Sequence, residues 1–495
     1  MINIDRLSFH LGITDWTDVY NCNDIDSCVN IFGQKISYSI AECIPSKLIK
    51  IRVKDPPFMT PLIRSLLKKR CKLRISGRVR EADCIDAEIN KLITDNYCKI
   101  FNQSNIPSTN DLWRKVKPSQ SADPFHALPT TLSADSINSY FASICTDTQA
   151  VVNNCHITYN LIEPDHEILA VLEPYRLVNA IKCMKRTSPG IDNIPYWVFK
   201  NASYELADVI SYIFKMSLSL ARVPDKWKTA IVTPIPKSSI VSSLYDLRPI
   251  SVTPILSRLL EKIIVNNFLR PCFNDSSFAD QYAFKPTVST SCALIDIMHH
   301  VTRMLESCDY VRCLTIDFAK AFDTVDTFTL VAKLRSFNIP KCILDWIRDF
   351  LTNRDQITRY RGKLSDPAPI NRGIVQGSVL GPALFLFMAS DLKPISVCNK
   401  LIKFADDFTQ LVPQDSPISL ADEFRHICSW ALINKLSINI SKTKEIVFTK
   451  PCPRRDLVLT QFSDSIDLVT EVKLLGILLN SNMTFISQVN LIIQT

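Results

Sequence analysis

The segment Leu401 to Val412 reads LIKFADDFTQLV, five strand-type residues on each side of Asp406 and Asp407, the only adjacent pair of aspartates in the chain. Such runs flanking a short polar step read as a β-hairpin with the two acids at its turn. Asp is also a common turn residue because its side chain bonds the local backbone, so the hairpin alone leaves structure and chemistry both open. A second segment narrows the choice. Val311 to Ile316 (VRCLTI) is a short, mostly apolar run, and Asp317 stands at its end, before residues compatible with a helix. An Asp there serves either as a helix N-cap or as a carboxylate held rigidly at a strand tip, which suits a metal ligand. A strand ending in one acid beside a hairpin ending in two could hold two Mg2+ ions ~4 Å apart for an in-line phosphoryl displacement. Water and substrate phosphates would fill the remaining positions, as in phosphatases, nucleases and polymerases alike.

A length of 495 residues corresponds to about three domains at ~150 residues each. With 46% hydrophobic residues the chain is neither disordered nor collagen-like. Its 17 cysteines are scattered and odd in number, without a CxxC, and the seven histidines do not fall at zinc-ligand spacing. A reduced, intracellular protein without a structural zinc site is the reading. The longest uncharged stretch, Gly373 to Ser390, is interrupted by Gln376, Gly377, Gly381 and Pro382, so no transmembrane span is read. The net charge of +8 is concentrated: Ser46 to Arg80 holds 12 basic residues against one acid, Asp55, which leaves −3 for the other 460 residues. A run like this, with Lys68, Lys69 and Arg70 at its centre, suits a phosphate backbone. A solvated helix face would carry the same charges.

Within this basic stretch Leu62 to Arg74 reads as a helix behind a stop made by Pro56, Pro57 and Pro61. Asn102 to Ser133 has linker composition. Leu206, Val209, Ile210, Ile213 and Phe214 form a helical core stripe. Ala230 to Pro236 (AIVTPIP) reads as an edge strand or hairpin arm, because proline cannot donate to a ladder. Ser419 and Asp422 cap a further helix carrying Leu420, Phe424, Ile427 and Ala431 on one face. Glycine is scarce, nine in all, yet four fall between Gly362 and Gly381. Such a cluster marks a backbone that approaches something closely, or a loop before a packed helix.

Nine motifs then come in one order: SPGIDNIP (Ser188 to Pro195), VPDKWKTAIVTPIPK (Val223 to Lys237), LRPISV (Leu247 to Val252), FKPTVST (Phe284 to Thr290), DFAKAFDTV (Asp317 to Val325), GIVQGSVLGPALF (Gly373 to Phe385), FADD (Phe404 to Asp407), NISKTK (Asn439 to Lys444) and LLGILL (Leu474 to Leu479). In this order they resemble the reverse transcriptase of LINE-type non-LTR retrotransposons, from about residue 174 to 480. Residues before Pro174 resemble, more loosely, the segment that joins an endonuclease to the polymerase in such elements. One mild departure is Lys285, where the family usually shows Arg.

The resemblance implies an α+β right-hand polymerase with fingers and palm on an antiparallel sheet flanked by helices. It implies three parts: a helical basic N-terminal region (1–165), fingers and palm (166–480) and the start of a truncated thumb (481–495). By the same resemblance Asp317, Asp406 and Asp407 are the catalytic, metal-holding acids, with Mg2+ as the ion and Mn2+ as a substitute. Phe322 lies against the sugar of the incoming nucleotide, Gln376 and Gly377 line it, and Lys237 and Arg248 clamp its triphosphate. Lys442 protonates the leaving pyrophosphate, with Lys444 competing for that role, and Leu474 to Leu479 form the primer grip. The implied activity is RNA-directed DNA synthesis from an RNA template, a DNA primer and dNTPs, with a nuclear site of action and a cytoplasmic ribonucleoprotein stage. A catalytically inactive nucleic-acid-binding remnant of a mobile element is the alternative.

Overall fold

A computed structural model describes residues 4–44, 60–102, 132–147, 166–237, 241, 243–450 and 461–494. Pro56, Pro57, the basic residues before Thr60 and most of the expected linker, 103–131, lie outside the described residues. Helices α1 (Ile4–Gly12) and α2 (Ile25–Cys43) place Leu7, Leu11, Ile25, Phe32 and Ile36 at helical spacing, all buried. Asp24 starts α2 by accepting a hydrogen bond from the Ser27 amide. Helix α3 (Pro61–Ile75) matches the expected basic helix, with Thr60 as its cap and Pro61 in its first turn. It pairs with α4 (Val79–Asn102) around Ile63, Ile85 and Ile89. These two helices form a compact unit of their own, while α1 and α2 share a unit with the chain from residue 132 onward. The expected 1–165 region is therefore divided. The apolar faces of α1 and α2 belong to the large core, and the basic helix has its own small one.

The larger unit continues through α5 (Ala134–Ile144), α6 (Ser203–Ser219), β1 (Thr229–Pro236) and β2 (Leu247–Val252). Next come α7 (Thr290–Ser307), β3 (Tyr310–Ile316), β4 (Arg354–Tyr360), β5 (Lys363–Leu364), β6 (Ala368–Ile370) and α8 (Leu380–Met388). The hairpin β7 (Lys400–Phe404) and β8 (Asp407–Pro413) precedes α9 (Leu420–Ile433), β9 (Lys444–Thr449) and β10 (Asp467–Val469). A last hairpin, β11 (Glu471–Leu474) and β12 (Ile477–Asn480), is followed by α10 (Ile486–Gln494). The α6 stripe is fully buried, as its period requires. Ser419 caps α9 by accepting from the Asp422 amide.

One sheet has the order β2-β1-β4-β5, with β6 also on β4. Here β1 is a hairpin arm but not an edge. It pairs antiparallel with β2 over Ile231 to Pro236 and parallel with β4 over Thr229 to Val232. The prolines explain how both readings coexist: Pro234 and Pro236 lie beyond Val232, where pairing to β4 has ended. The other sheet has the order β10-β9-β3-β8-β7, antiparallel except for β9 and β10. Both of its faces are covered. Val311 and Cys313 of β3 face the cluster built with Ala293, Ile297 and Val301 of α7, while Leu314 and Ile316 face the large core with α8 and α9. That double burial explains why β3 reads as an apolar run without a polar face. No described helix is long and apolar enough to cross a membrane.

Candidate functional site

Register brings the acids together. Ile316 of β3 lies opposite Phe408 of β8, so the residues one step beyond, Asp317 and Asp407, are neighbours at the same sheet end. Phe404 pairs with Asp407 across the β7–β8 hairpin, which leaves Ala405 and Asp406 as its turn, Ala405 with φ of 57°. A loop crosses the tip of β3 and fixes it: the Ala319 amide donates to Ser437 O (2.8 Å) and the Asn439 amide to Asp317 O (2.7 Å). The same loop carries Lys442, whose Nζ stands 3.2 Å from Asp317 Oδ2. Lys444, inside β9, pairs instead with Asp467 at 2.5 Å. Of the two competing lysines, only Lys442 faces the acids.

The charge of Asp317 raises the proton affinity of both acids of the hairpin. Burial first, then the charges of Asp406 and Asp317, push the Asp407 carboxyl up to about 6, against the opposing Lys442. Burial and Asp317 also push Asp406 upward, with Lys442 and Arg248 opposing. Asp317 Oδ2 is buried without an aligned hydrogen-bond donor, since the Lys442 contact is close but not hydrogen-bonded. Among the described residues no three acid, histidine or cysteine side chains converge closely enough to cage a metal on their own. An orphaned carboxylate oxygen amid mutually repelling acids fits a hard cation that takes its other ligands from water and phosphates. It does not fit an all-protein metal cage.

A cavity of about 560 Å³ opens beside the acids, and it is lined by Asp317, Asp406, Asp407, Lys442, Phe322, Gln376, Gly377, Lys237 and Arg248. Every residue that the sequence assigned to catalysis or nucleotide binding thus meets one space. Arg248 sits on β2 opposite Ile235, and Lys237 follows β1, its Nζ donating to the Tyr245 carbonyl. Burial first, then Lys442 and Arg248, lower the proton affinity of Lys237. The Gln376 carbonyl accepts from the Ser251 amide (2.7 Å), and its Nε2 donates to Asp323 Oδ1 (2.7 Å). Gly377 has φ of 112°, and a Cβ there would lie 2.3 Å from Ser251 O. Gly373, with φ of 93°, would meet Asp323 O at 2.6 Å. Of the glycine cluster, Gly373 and Gly377 thus belong to a loop pressed between β2 and the turn after β3, and Gly377 forms part of the cavity wall, whereas a Cβ at Gly362 would meet nothing within 4 Å. Phe322 is half-buried and stacks on Phe385 (4.8 Å, 18°), so its ring is both core and wall.

Three polar lining residues escaped the sequence reading: Asp323, Lys320 and Tyr140. Asp323 lies inside DFAKAFDTV, but only its burial, which pushes its carboxyl up to about 6, marks it out. Tyr140 comes from α5, where the sole signal is a capped helix bearing adjacent aromatics. Lys68 and Lys69 are exposed on α3, in the other unit, and Arg70 is paired there with Asp86 at 2.6 Å. Leu474 to Leu479 span the β11–β12 turn, through Leu475 (φ 45°) and Gly476 (φ 94°).

Residues 235–479 match the family described as "Reverse transcriptase (RNA-dependent DNA polymerase)". The chain is 26% identical to the probable RNA-directed DNA polymerase from transposon BS of Drosophila melanogaster, over 66% of this chain and 38% of that one. It is 23% identical to the RNA-directed DNA polymerase from mobile element jockey of Drosophila funebris, over 97% and 56%. The match therefore spans about half or less of the length of these relatives. Among solved structures, apo telomerase from Candida tropicalis, truncated from its C-terminal domain, aligns with a TM-score of 0.37 at 12% identity, over 53% of this chain and 55% of that one.

Proposed function

Because this chain belongs, through residues 235–479, to the reverse transcriptase (RNA-dependent DNA polymerase) family, we propose that it is the polymerase portion of a non-LTR retrotransposon protein and copies RNA into DNA. In this reading the β1–β2–β4 sheet belongs to the fingers and the β9–β3–β8–β7 sheet to the palm. The observation that carries the proposal is the convergence of Asp317, Asp406 and Asp407 with Lys237, Arg248 and Phe322 on one cavity. It brings carboxylates that can hold cations and cationic side chains that can meet phosphates to one space, as a nucleoside triphosphate needs.

The reaction joins a primer 3'-hydroxyl to the α-phosphorus of a dNTP and releases pyrophosphate. Divalent cations, Mg2+ or Mn2+, held by Asp317 and Asp406 with Asp407 alongside, would neutralise phosphate charge and lower the hydroxyl's pKa. The protein's own part is positioning. Arg248 and Lys237 meet the triphosphate, a planar guanidinium being suited to forked hydrogen bonds with phosphate oxygens. Gln376 is held by Asp323 and by Ser251, so the loop that lines the nucleotide is set before it binds. Phe322 walls off the space beside the sugar. In this reading Lys442, which lies 3.2 Å from Asp317, gives a proton to the leaving pyrophosphate. Two contacts to nucleic acid complete the proposal: the β11–β12 turn grips the primer, and Lys68 and Lys69 bind the phosphate backbone.

The test is primer extension by purified protein on a poly(A) template with an oligo(dT) primer. The expected result is dTTP incorporation that needs template, primer and Mg2+ together. Incorporation without template, or none under any divalent cation, would overturn the reading.

A further inference from the structure

Helix α5 lies outside the family-matched segment 235–479, yet Tyr140, Phe141 and Ile144 line the cavity. It is not loosely attached. Asn138, buried, donates through Nδ2 to the carbonyls of Asp366 (2.8 Å) and Gln356 (3.4 Å) and accepts at Oδ1 from Gln356 Nε2 (3.2 Å) and Thr358 Oγ1 (3.0 Å). All the hydrogen-bonding capacity of that amide is used on β4 and its neighbouring loop. Below the helix, the amides of Asn371 and Arg372 both donate to Cys145 O at 3.1 Å.

This anchoring delivers Tyr140 to Lys320. Lys320 Nζ donates to the Tyr140 hydroxyl (3.3 Å) and stands 5.0 Å from the Tyr140 ring centroid and 5.3 Å from that of Tyr245. The two rings meet edge to face at 5.5 Å. Rings attract an ammonium by their electron-rich faces but leave its charge unneutralised. Lys320 forms no ion pair among the described residues. Its backbone has φ of 53°, a conformation unfavourable to a residue with a Cβ, while its carbonyl accepts from the amides of Asp323 (2.9 Å) and Thr324 (3.2 Å). A tight turn therefore holds this lysine at the cavity, where burial first lowers its proton affinity, the nearby Asp323 carboxyl opposes that, and Lys237 adds to it.

Resting on the polymerase reading, we propose that α5 is a substrate-contacting wall of the nucleotide pocket, and that Tyr140 and Tyr245 hold the Lys320 ammonium where it meets the phosphates of the incoming nucleoside triphosphate. Tyr140 is then a positioning residue acting through Lys320. An element outside the family segment completes its active site.

The experiment titrates dTTP in single-nucleotide extension. Lys320→Gln should raise KM for dTTP by about tenfold or more, with kcat falling less than about threefold. Tyr140→Leu should reproduce most of that rise, and the double variant should add little to it, since both changes remove one contact. Tyr140→Phe, which keeps the ring, should stay within about threefold of wild type. An unchanged KM in Lys320→Gln overturns the proposal, and so do independent, multiplying effects of the two changes. Because Lys320→Gln alters no core residue, it decides the matter even where Tyr140→Leu does not fold. Binding of labelled dTTP to the Asp406→Ala protein with primer–template and Ca2+ supplies a readout that does not need catalysis. There too Lys320→Gln should weaken binding about tenfold, and equal binding counts against the proposal whether or not the wild type extends primers.

Discussion

Phe322→Val separates the two roles that one ring plays. The ring is half-buried and stacks on Phe385 at 4.8 Å and 18° while lining the cavity. The change deletes four carbons; at ~0.8 kcal/mol for each fully buried carbon, and about half that here, the burial loss is roughly 1.5 kcal/mol. Loss of the aromatic pair adds about 0.5–1.5 kcal/mol, so stability should fall by roughly 2–3 kcal/mol. If the same ring fills the space beside the sugar, its removal also makes room for a 2'-hydroxyl, the group that tells ribose from deoxyribose. The ratio of kcat/KM for UTP to that for dTTP should then rise about tenfold or more, equivalent to about 1.4 kcal/mol. Urea unfolding measures the first effect and single-nucleotide extension the second. A loss of stability with an unchanged UTP to dTTP ratio would refute the reasoning and leave Phe322 as core alone.

Lys442→Ala should slow extension by about 10²-fold, as loss of a general acid does, whereas Lys444→Ala, removing a lysine turned toward Asp467, should cost less than about threefold in the same assay. Burial raises the Asp323 carboxyl to about 6 from the usual 3.8, so the folded protein holds an extra proton between those values. The stability this group contributes is present below about pH 4 and is lost as pH rises through about 6, on the order of 2–3 kcal/mol; urea titrations from pH 4 to 7 should show Asp323→Asn lacking that decline, and parallel curves would contradict it. Lys68→Gln with Lys69→Gln should flatten the slope of log K for RNA against log salt by about 1.4, at ~0.7 per charge on a single strand. Arg70→Gln should flatten it less than either lysine change, because Arg70 is engaged by Asp86; equal effects would count against that pairing.

The acids were legible because each sits where a local pattern ends. VRCLTI stops at Asp317, and LIKFADDFTQLV folds back at Asp406, so register then places three carboxylates at one sheet end. The α6 stripe was legible for the same reason, its period being local. What escaped depends on partners remote in sequence. Strand β1 becomes internal through β4, whose pairing begins with Thr229 against Asp355. Tyr140 reaches the cavity because Asn138 is held by Gln356, 218 positions away. Asp323 carries no local mark of burial, and its environment comes from the Gly373 to Gly377 loop closing over it. That Lys442 and not Lys444 lies beside Asp317 likewise depends on where the loop before β9 crosses the tip of β3. The division of the first 165 residues followed from packing, since α1 and α2 share the large core with α6 while the basic helix has its own small core with α4.

Primer extension on an RNA template in Mg2+, with Asp317→Ala and Asp406→Ala beside the wild type, tests most directly whether this site makes DNA. Either change should cut the rate by at least ~10³-fold, about 4 kcal/mol at 1.36 per decade, with circular dichroism unchanged. An Asp406→Ala protein that folds and extends primers at near the wild-type rate would contradict the account.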